Sequence, residues 1–187
     1  MSEVMNWDEL NLLRSSAIDM LRDYRRTKDK EIVRRWCDYM EFVLCLVYAY
    51  GWKDAEEIVG IVPFKDGLDD KCVNLEIKEE TFRDRIDEQV NLDSLEGILR
   101  IIDTESHRDY NTAVYDAGKA SGRRGLMKRW GTMMDDKVRD THSYLEGTIV
   151  GIDDLFYTYD GDSAYAPGGF EKAENNVNCR CSISLVP

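Results

Sequence analysis

Histidine is nearly absent from this chain, with two residues in 187, so a histidine-metal nuclease would need carboxylates to complete its ligand set. Long apolar runs are missing too. The longest, Phe42 to Tyr50, falls far short of the roughly 20 residues that span a bilayer. The first eight residues carry no basic n-region and no apolar core, so no secretory signal is expected. Nothing matches a P-loop, a Gly-rich dinucleotide fingerprint or a hydrolase nucleophile elbow. An excess of positive charge is also lacking. With 25 Lys and Arg against 37 Asp and Glu the formal net charge is -12, which argues against a generic DNA-coating protein. The five cysteines make an odd count, and Cys37, Cys45 and Cys72 sit in apolar or strand-like contexts, the usage of a reducing compartment.

What is present is globular: 43% hydrophobic and 33% charged residues exclude wholesale disorder, and the length suits one substantial core, or one core with a helical extension. Asn6 with Glu9 reads as a capping box, and Leu10, Leu13, Ala17, Met20 or Leu21, and Tyr24 repeat at helical spacing. A second helix carries Ile32 or Val33, Trp36, Met40, Val43 or Leu44, and Val47 inward and stops near Gly51. A shorter helical stretch, Ala55 to Val59, leads to a turn at Pro63 to Gly67, and Val73, Leu75 and Ile77 alternate like a short strand. Between the first two helices fall Arg22, Arg25, Arg26, Lys28, Lys30, Arg34 and Arg35, read as a solvated surface in preference to a contact for an acidic partner. Thr81 to Gln89 reads as a further helix. The boundary between a helical N-terminal region, residues 1–90, and a C-terminal module, residues 91–187, is placed where that helix ends.

A long helix begins near Asn91 or Asp93, with Leu95, Ile98 or Leu99, Ile102, Tyr110, Ala113 or Val114, and Ala117 inward and a polar stripe of Thr104, Arg108 and Asn111 beside them. Glu105 and Arg108, spaced i and i+3, read as an architectural clamp in preference to a catalytic pair. The stripe is expected to pin the helix to the Trp130 strand. Lys119 to Arg129 then holds Lys119, Arg123, Arg124, Lys128 and Arg129 with no acid among them, a loop fit to touch phosphate or an acidic protein surface, or simply to offset its acidic neighbours.

The residues able to do chemistry lie beyond. A helix from Val138 to Leu145, begun by Asp135 or Asp136 as N-cap, puts Val138, His142 and Leu145 on one inward face. In the last segment the period is two, so Cys179, Cys181, Ile183 and Leu185 share a strand face. If that strand pairs with the Trp130 strand, His142 meets the thiols. Asp160-Gly161-Asp162 lacks the spacing of a calcium loop and reads as a hairpin turn. The preferred reading of the cluster is a hydrogen-bonded His142 beside two small core thiols and no metal, with Zn²⁺ on His142, Cys179 and Cys181, and Asp135 or Asp136 as fourth ligand, as the alternative.

The ordered set Trp130, Thr132, Asp136, Arg139, His142, Gly147, Pro167-Gly168 and Asn178-Cys179-Arg180-Cys181, preceded by Thr104-Glu105-x-x-Arg108-x-x-Asn111, resembles the bacteriophage Mu F-like minor head protein (phage head morphogenesis) family over roughly residues 95–187. The resemblance implies a minor head protein of a tailed phage or prophage, made in the host cytoplasm and carried in the virion head. By the same resemblance it acts in procapsid assembly or genome delivery by binding portal and capsid proteins. DNA contact falls to the basic loop, and no membrane is involved. The periodicities themselves predict an α+β fold: a helical N-terminal region, then a small antiparallel β-sheet packed with a long and a short helix. The competing reading is a metal-dependent hydrolase or toxin module centred on His142, Asp136 and Cys179.

Overall fold

A computed structural model describes residues 8–63 and 81–187. Helix α1 (Asp8–Thr27) and helix α2 (Lys30–Val59) form an antiparallel pair. Leu10, Leu13, Ala17, Met20 and Leu21 are the buried stripe of α1, at the spacing the sequence predicts. Asp29 caps α2, its side chain accepting the Glu31 amide at 2.9 Å. Asn6, the turn from Pro63 to Gly67 beyond its first residue, and the strand at 73–77 lie outside the described residues.

Gly51 does not end α2. The helix continues to Val59 and stops at Gly60, whose φ is +87°. A Cβ at Gly51 would stand 2.5 Å from the Tyr110 carbonyl oxygen and 3.0 Å from Ala113 Cβ. The glycine is therefore the contact point of two helices. The roughly 1 kcal/mol that glycine costs a helix interior is offset by that close packing.

Helix α3 (Phe82–Asn91) opens on a capping box between Thr81 and Asp84. It closes at Asp93, where φ is +58°, so helix α4 (Leu95–Ala120) starts later than expected, on the N-cap Ser94, whose side chain accepts the Gly97 amide. The chain then enters a three-stranded antiparallel sheet: β1 (Met127–Gly131) in the centre, β2 (Ile149–Gly151) on one side and β5 (Ser182–Val186) on the other. Between them come a one-turn helix α5 (Asp140–Ser143), a hairpin of β3 (Phe156–Tyr157) and β4 (Ser163–Ala164), and a one-turn helix α6 (Ala173–Asn176). The architecture is the expected α+β fold.

Two cores result. One joins α1, the first half of α2, α3 and the start of α4 through Leu13, Met40, Leu44, Ile86, Ile98 and Ile102. The other joins the ends of α2 and α4 to the sheet through Tyr48, Trp52, Ala113, Ala117, Trp130, Ile183 and Leu185. Both α2 and α4 serve both cores. Arg22, Arg25, Arg26, Arg34 and Arg35 each pair with a carboxylate, so most of the basic surface of the first hairpin is neutralised locally. No helix among the described residues is long and apolar enough to cross a membrane.

Candidate functional site

The register sets the site. Trp130 faces Ile183 across the β1–β5 ladder, and the same alternation carries inward through Cys181 and Cys179, all buried. The strand itself begins only at Ser182. The two cysteines sit in the extended lead-in, positioned by Asn178 in the left-handed region (φ +56°) and by the Cys179 amide donating to the Asn176 carbonyl.

His142 arrives from the other direction. The helix expected from Val138 to Leu145 is a single turn, Asp140–Ser143, with Arg139 as N-cap and no side-chain cap bond. Asp135 cannot cap it because its carboxylate turns to the Lys137 amide and to Arg180, which grips both oxygens at 2.6 and 2.8 Å. Arg139 fixes the turn instead, donating to the Asn175 and Val177 carbonyls at 3.3 and 2.5 Å. Gly147, at φ +72°, returns the chain so that its amide meets the Trp130 carbonyl. Thr132 holds the same corner, its amide bonded to the Glu146 carboxylate and its hydroxyl accepting the Met134 amide.

The convergence is close. His142 Nδ1 lies 3.5 Å from Cys179 Sγ and 3.4 Å from Cys181 Sγ. The imidazole is 1% exposed, edge-on to Trp130 at 5.7 Å and tilted against Phe170 at 5.3 Å. Its Nε2 is buried without a hydrogen-bond partner. Among the described residues these three form the group whose donor atoms lie close enough to hold a metal ion, all within 4.8 Å of one another. The Cys181 thiol beside it holds the Cys179 pKa well below the usual thiol range, helped by His107 and His142, and the same contact, with burial, drives Cys181 up. Asp136 is exposed and outside the group. Neither aspartate supplies a fourth ligand, and the constellation of His142, Asp136 and Cys179 is not assembled.

From α4, Asn111 reaches the lead-in and β5. Its Oδ1 accepts the Ile183 amide at 2.9 Å, and its Nδ2 donates to the carbonyls of His107 (2.8 Å) and Cys181 (3.3 Å). Asn111 of the polar stripe thus grips the C-terminal strand and not, as expected, the Trp130 strand, because β5 is the edge strand that lies against α4. Glu105 bonds Arg108 and, at 2.8 Å, Arg85 of α3, making a buried clamp between α3 and α4. Arg108 also lies under Gly168, where a Cβ would meet its side chain at 2.8 Å.

The basic loop is less available than its composition implies. Lys128 is fully buried, its ammonium within 4.6 to 5.4 Å of the rings of Tyr115, Tyr165 and Phe156 and donating to the Ile152 carbonyl. It offers nothing to a phosphate. The reason is register: two residues before Trp130 on β1, it shares the buried face. Lys119 pairs with Asp153 and Arg123 donates to the Ile58 carbonyl, which leaves Arg124 and Arg129 outward.

Three residues that the sequence reading passed over hold the site's outer wall. Asp162, buried in the hairpin, accepts the amides of Ser163, Glu171 and Lys172 and the Asn175 side chain. Burial opposes its ionised form, but these donors outweigh it and keep its pKa below the ordinary carboxylate range. Asn176 brackets Phe170, accepting its amide and donating to its carbonyl, so the ring that packs on His142 is fixed in turn. The hint was a run of Asn residues beside a Gly-Gly break, which reads equally well as a loop.

A model of the family described as Phage Mu protein F like protein matches residues 75–184, more than half of the chain. Minor head protein GP7 of Bacillus phage SPP1 is 31% identical over 84 residues, which is 44% of this chain and 27% of that protein. An NAD(+)--arginine ADP-ribosyltransferase, EFV, of Enterococcus faecalis is 36% identical over 96 residues, 50% of this chain and 19% of that enzyme. The chain thus spans about a quarter and a fifth of the length of these two relatives. No solved structure matches it.

Proposed function

The chain belongs to the Phage Mu protein F like family, and from that membership we propose that it is a minor head protein of a tailed phage or prophage that works by binding. Its partners are portal and capsid proteins, met in the host cytoplasm during assembly and kept in the head interior of the finished virion. The observation that carries the reading is the family match over residues 75–184 together with the likeness to a minor head protein of another phage. The geometry favours recognition over turnover. The side chains best suited to chemistry, His142, Cys179 and Cys181, are sealed under Trp130 and Phe170, where no substrate reaches them. Outward, the helical surface offers Leu12, Phe42, Ile61 and Leu92, each more than half exposed, in a field of paired charges. With Lys128 buried, direct DNA contact rests on Arg124 and Arg129, fewer cations than a salt-resistant nucleic-acid site requires. The shared segment is a fifth of the ADP-ribosyltransferase, so that activity is not carried over.

The test is a pull-down of the portal subunit encoded by the same phage with the immobilised full chain, repeated with the capsid subunit. Association at micromolar concentration is expected with the portal. Its failure with both subunits at that concentration overturns the proposal.

A further inference from the structure

The binding role makes no use of the His142, Cys179 and Cys181 cluster, and the cluster's geometry asks for more than a hydrogen bond. A neutral imidazole nitrogen has either one lone pair or one hydrogen. Here Nδ1 of His142 faces two sulfur atoms at nearly equal distance, 3.5 and 3.4 Å, so a single hydrogen bond cannot account for both contacts. A tetrahedral ion removes the conflict. With Zn–S about 2.3 Å and Zn–N about 2.0–2.1 Å, the N···S edge of a zinc tetrahedron is about 3.5 Å long, the spacing seen for both pairs.

The supports point the same way. The imidazole is held by Trp130 and Phe170, and the cysteine segment is tied through the Cys181 carbonyl to Asn111. Two cysteine sulfurs and an imidazole, all buried, are a soft donor set of the kind zinc prefers. The imidazole of His107 comes up from α4 against the Cys181 carbonyl and braces the same segment.

We propose that His142 Nδ1, Cys179 Sγ and Cys181 Sγ bind one zinc ion that joins the α5 turn to the β5 lead-in as a structural site. Binding gives a zinc dithiolate, and whatever protons the two sulfurs carry are released to solvent. The ion does no chemistry on a substrate, because the site is closed.

The experiment takes the full chain, purified untagged under reducing conditions without chelator. Elemental analysis is expected to give one zinc per chain. Exchange for Co²⁺ is expected to give the visible bands of a tetrahedral site with a thiolate-to-cobalt charge-transfer band. A C179S/C181S double variant should lose both, and Cys45→Ser, outside the cluster, should keep both. If the double variant fails to fold, the charge-transfer band of the unmutated chain still decides, since it requires a sulfur ligand. Protein that carries no zinc and takes up neither added Zn²⁺ nor Co²⁺ at micromolar concentration overturns the proposal, as does cobalt bound without the charge-transfer band. Either result leaves the portal-binding reading untouched, because that reading is measured by association alone.

Discussion

Asn111→Ala is the substitution that most directly probes how the sheet is held to the helices. Asn111 is completely buried; it accepts the Ile183 amide and donates to the His107 and Cys181 carbonyls, with the His107 ring nitrogen also 3.3 Å from its Nδ2. Truncation leaves the Ile183 N–H on the open edge of β5, away from β1, with no acceptor and no access to water. An orphaned buried amide costs roughly 1–3 kcal/mol, and the two lost donations add about 1 kcal/mol, for a total near 3 kcal/mol. For a chain of this size that corresponds to a fall in Tm of roughly 6–12 °C. The assay is thermal unfolding followed by circular dichroism. Arg100→Ala serves as reference, since its exposed pair with Glu96 is worth about 0.5 kcal/mol or less. Asn111→Asp sharpens the test: it keeps the acceptor for Ile183 but turns a carboxylate oxygen toward two carbonyls, so it should be at least as damaging as Asn111→Ala. If Asn111→Ala melts together with Arg100→Ala, β5 does not depend on this side chain and the account of how the sheet is anchored is wrong.

Gly51→Ala should destabilise despite the better helix propensity of alanine. The new Cβ would stand 2.5 Å from the Tyr110 carbonyl, and forcing α2 from α4 costs about 1–3 kcal/mol against a gain of at most about 1 kcal/mol; a raised urea midpoint would contradict this. Lys128 gives a pH signature. Burial lowers its pKa from 10.5 to about 8, so between about pH 8 and 10.5 the unfolded chain binds the proton more readily than the folded one. This residue's contribution therefore improves as pH rises through that window. Relative to Lys128→Met, the unmutated protein should gain roughly 1–3 kcal/mol between about pH 7 and 10.5, less than the full shift implies because three aromatic rings favour the ammonium. A difference that stays flat across that range refutes it.

Much of this arrangement is legible in the residues. Helical spacing marks the buried stripes of α1 and α4, and the period-two run from Cys179 to Leu185 places both thiols inward. His142 points inward as its distance from Leu145 suggests, although Val138 precedes the helix and plays no part in it. Lys128 was legible too: counting back two from Trp130 puts it on the buried face, but hydropathy speaks against a buried lysine and only the tertiary cage of rings reverses that. Gly51 could not be read because a glycine that stops a helix and one that admits a neighbouring helix look alike until Tyr110 is seen beside it. Asp162, Asn175 and Asn176 act on partners up to 34 residues away, and no local rule selects one polar loop residue over another.

The run of α2 and α4 through both cores has a mechanical consequence. With no break at Gly51 and a backbone-to-backbone seat against Tyr110, the two helices form a stiff lever that has no joint between the helical end and the sheet. A partner that grips Phe42 therefore holds an element that runs unbroken to the sheet.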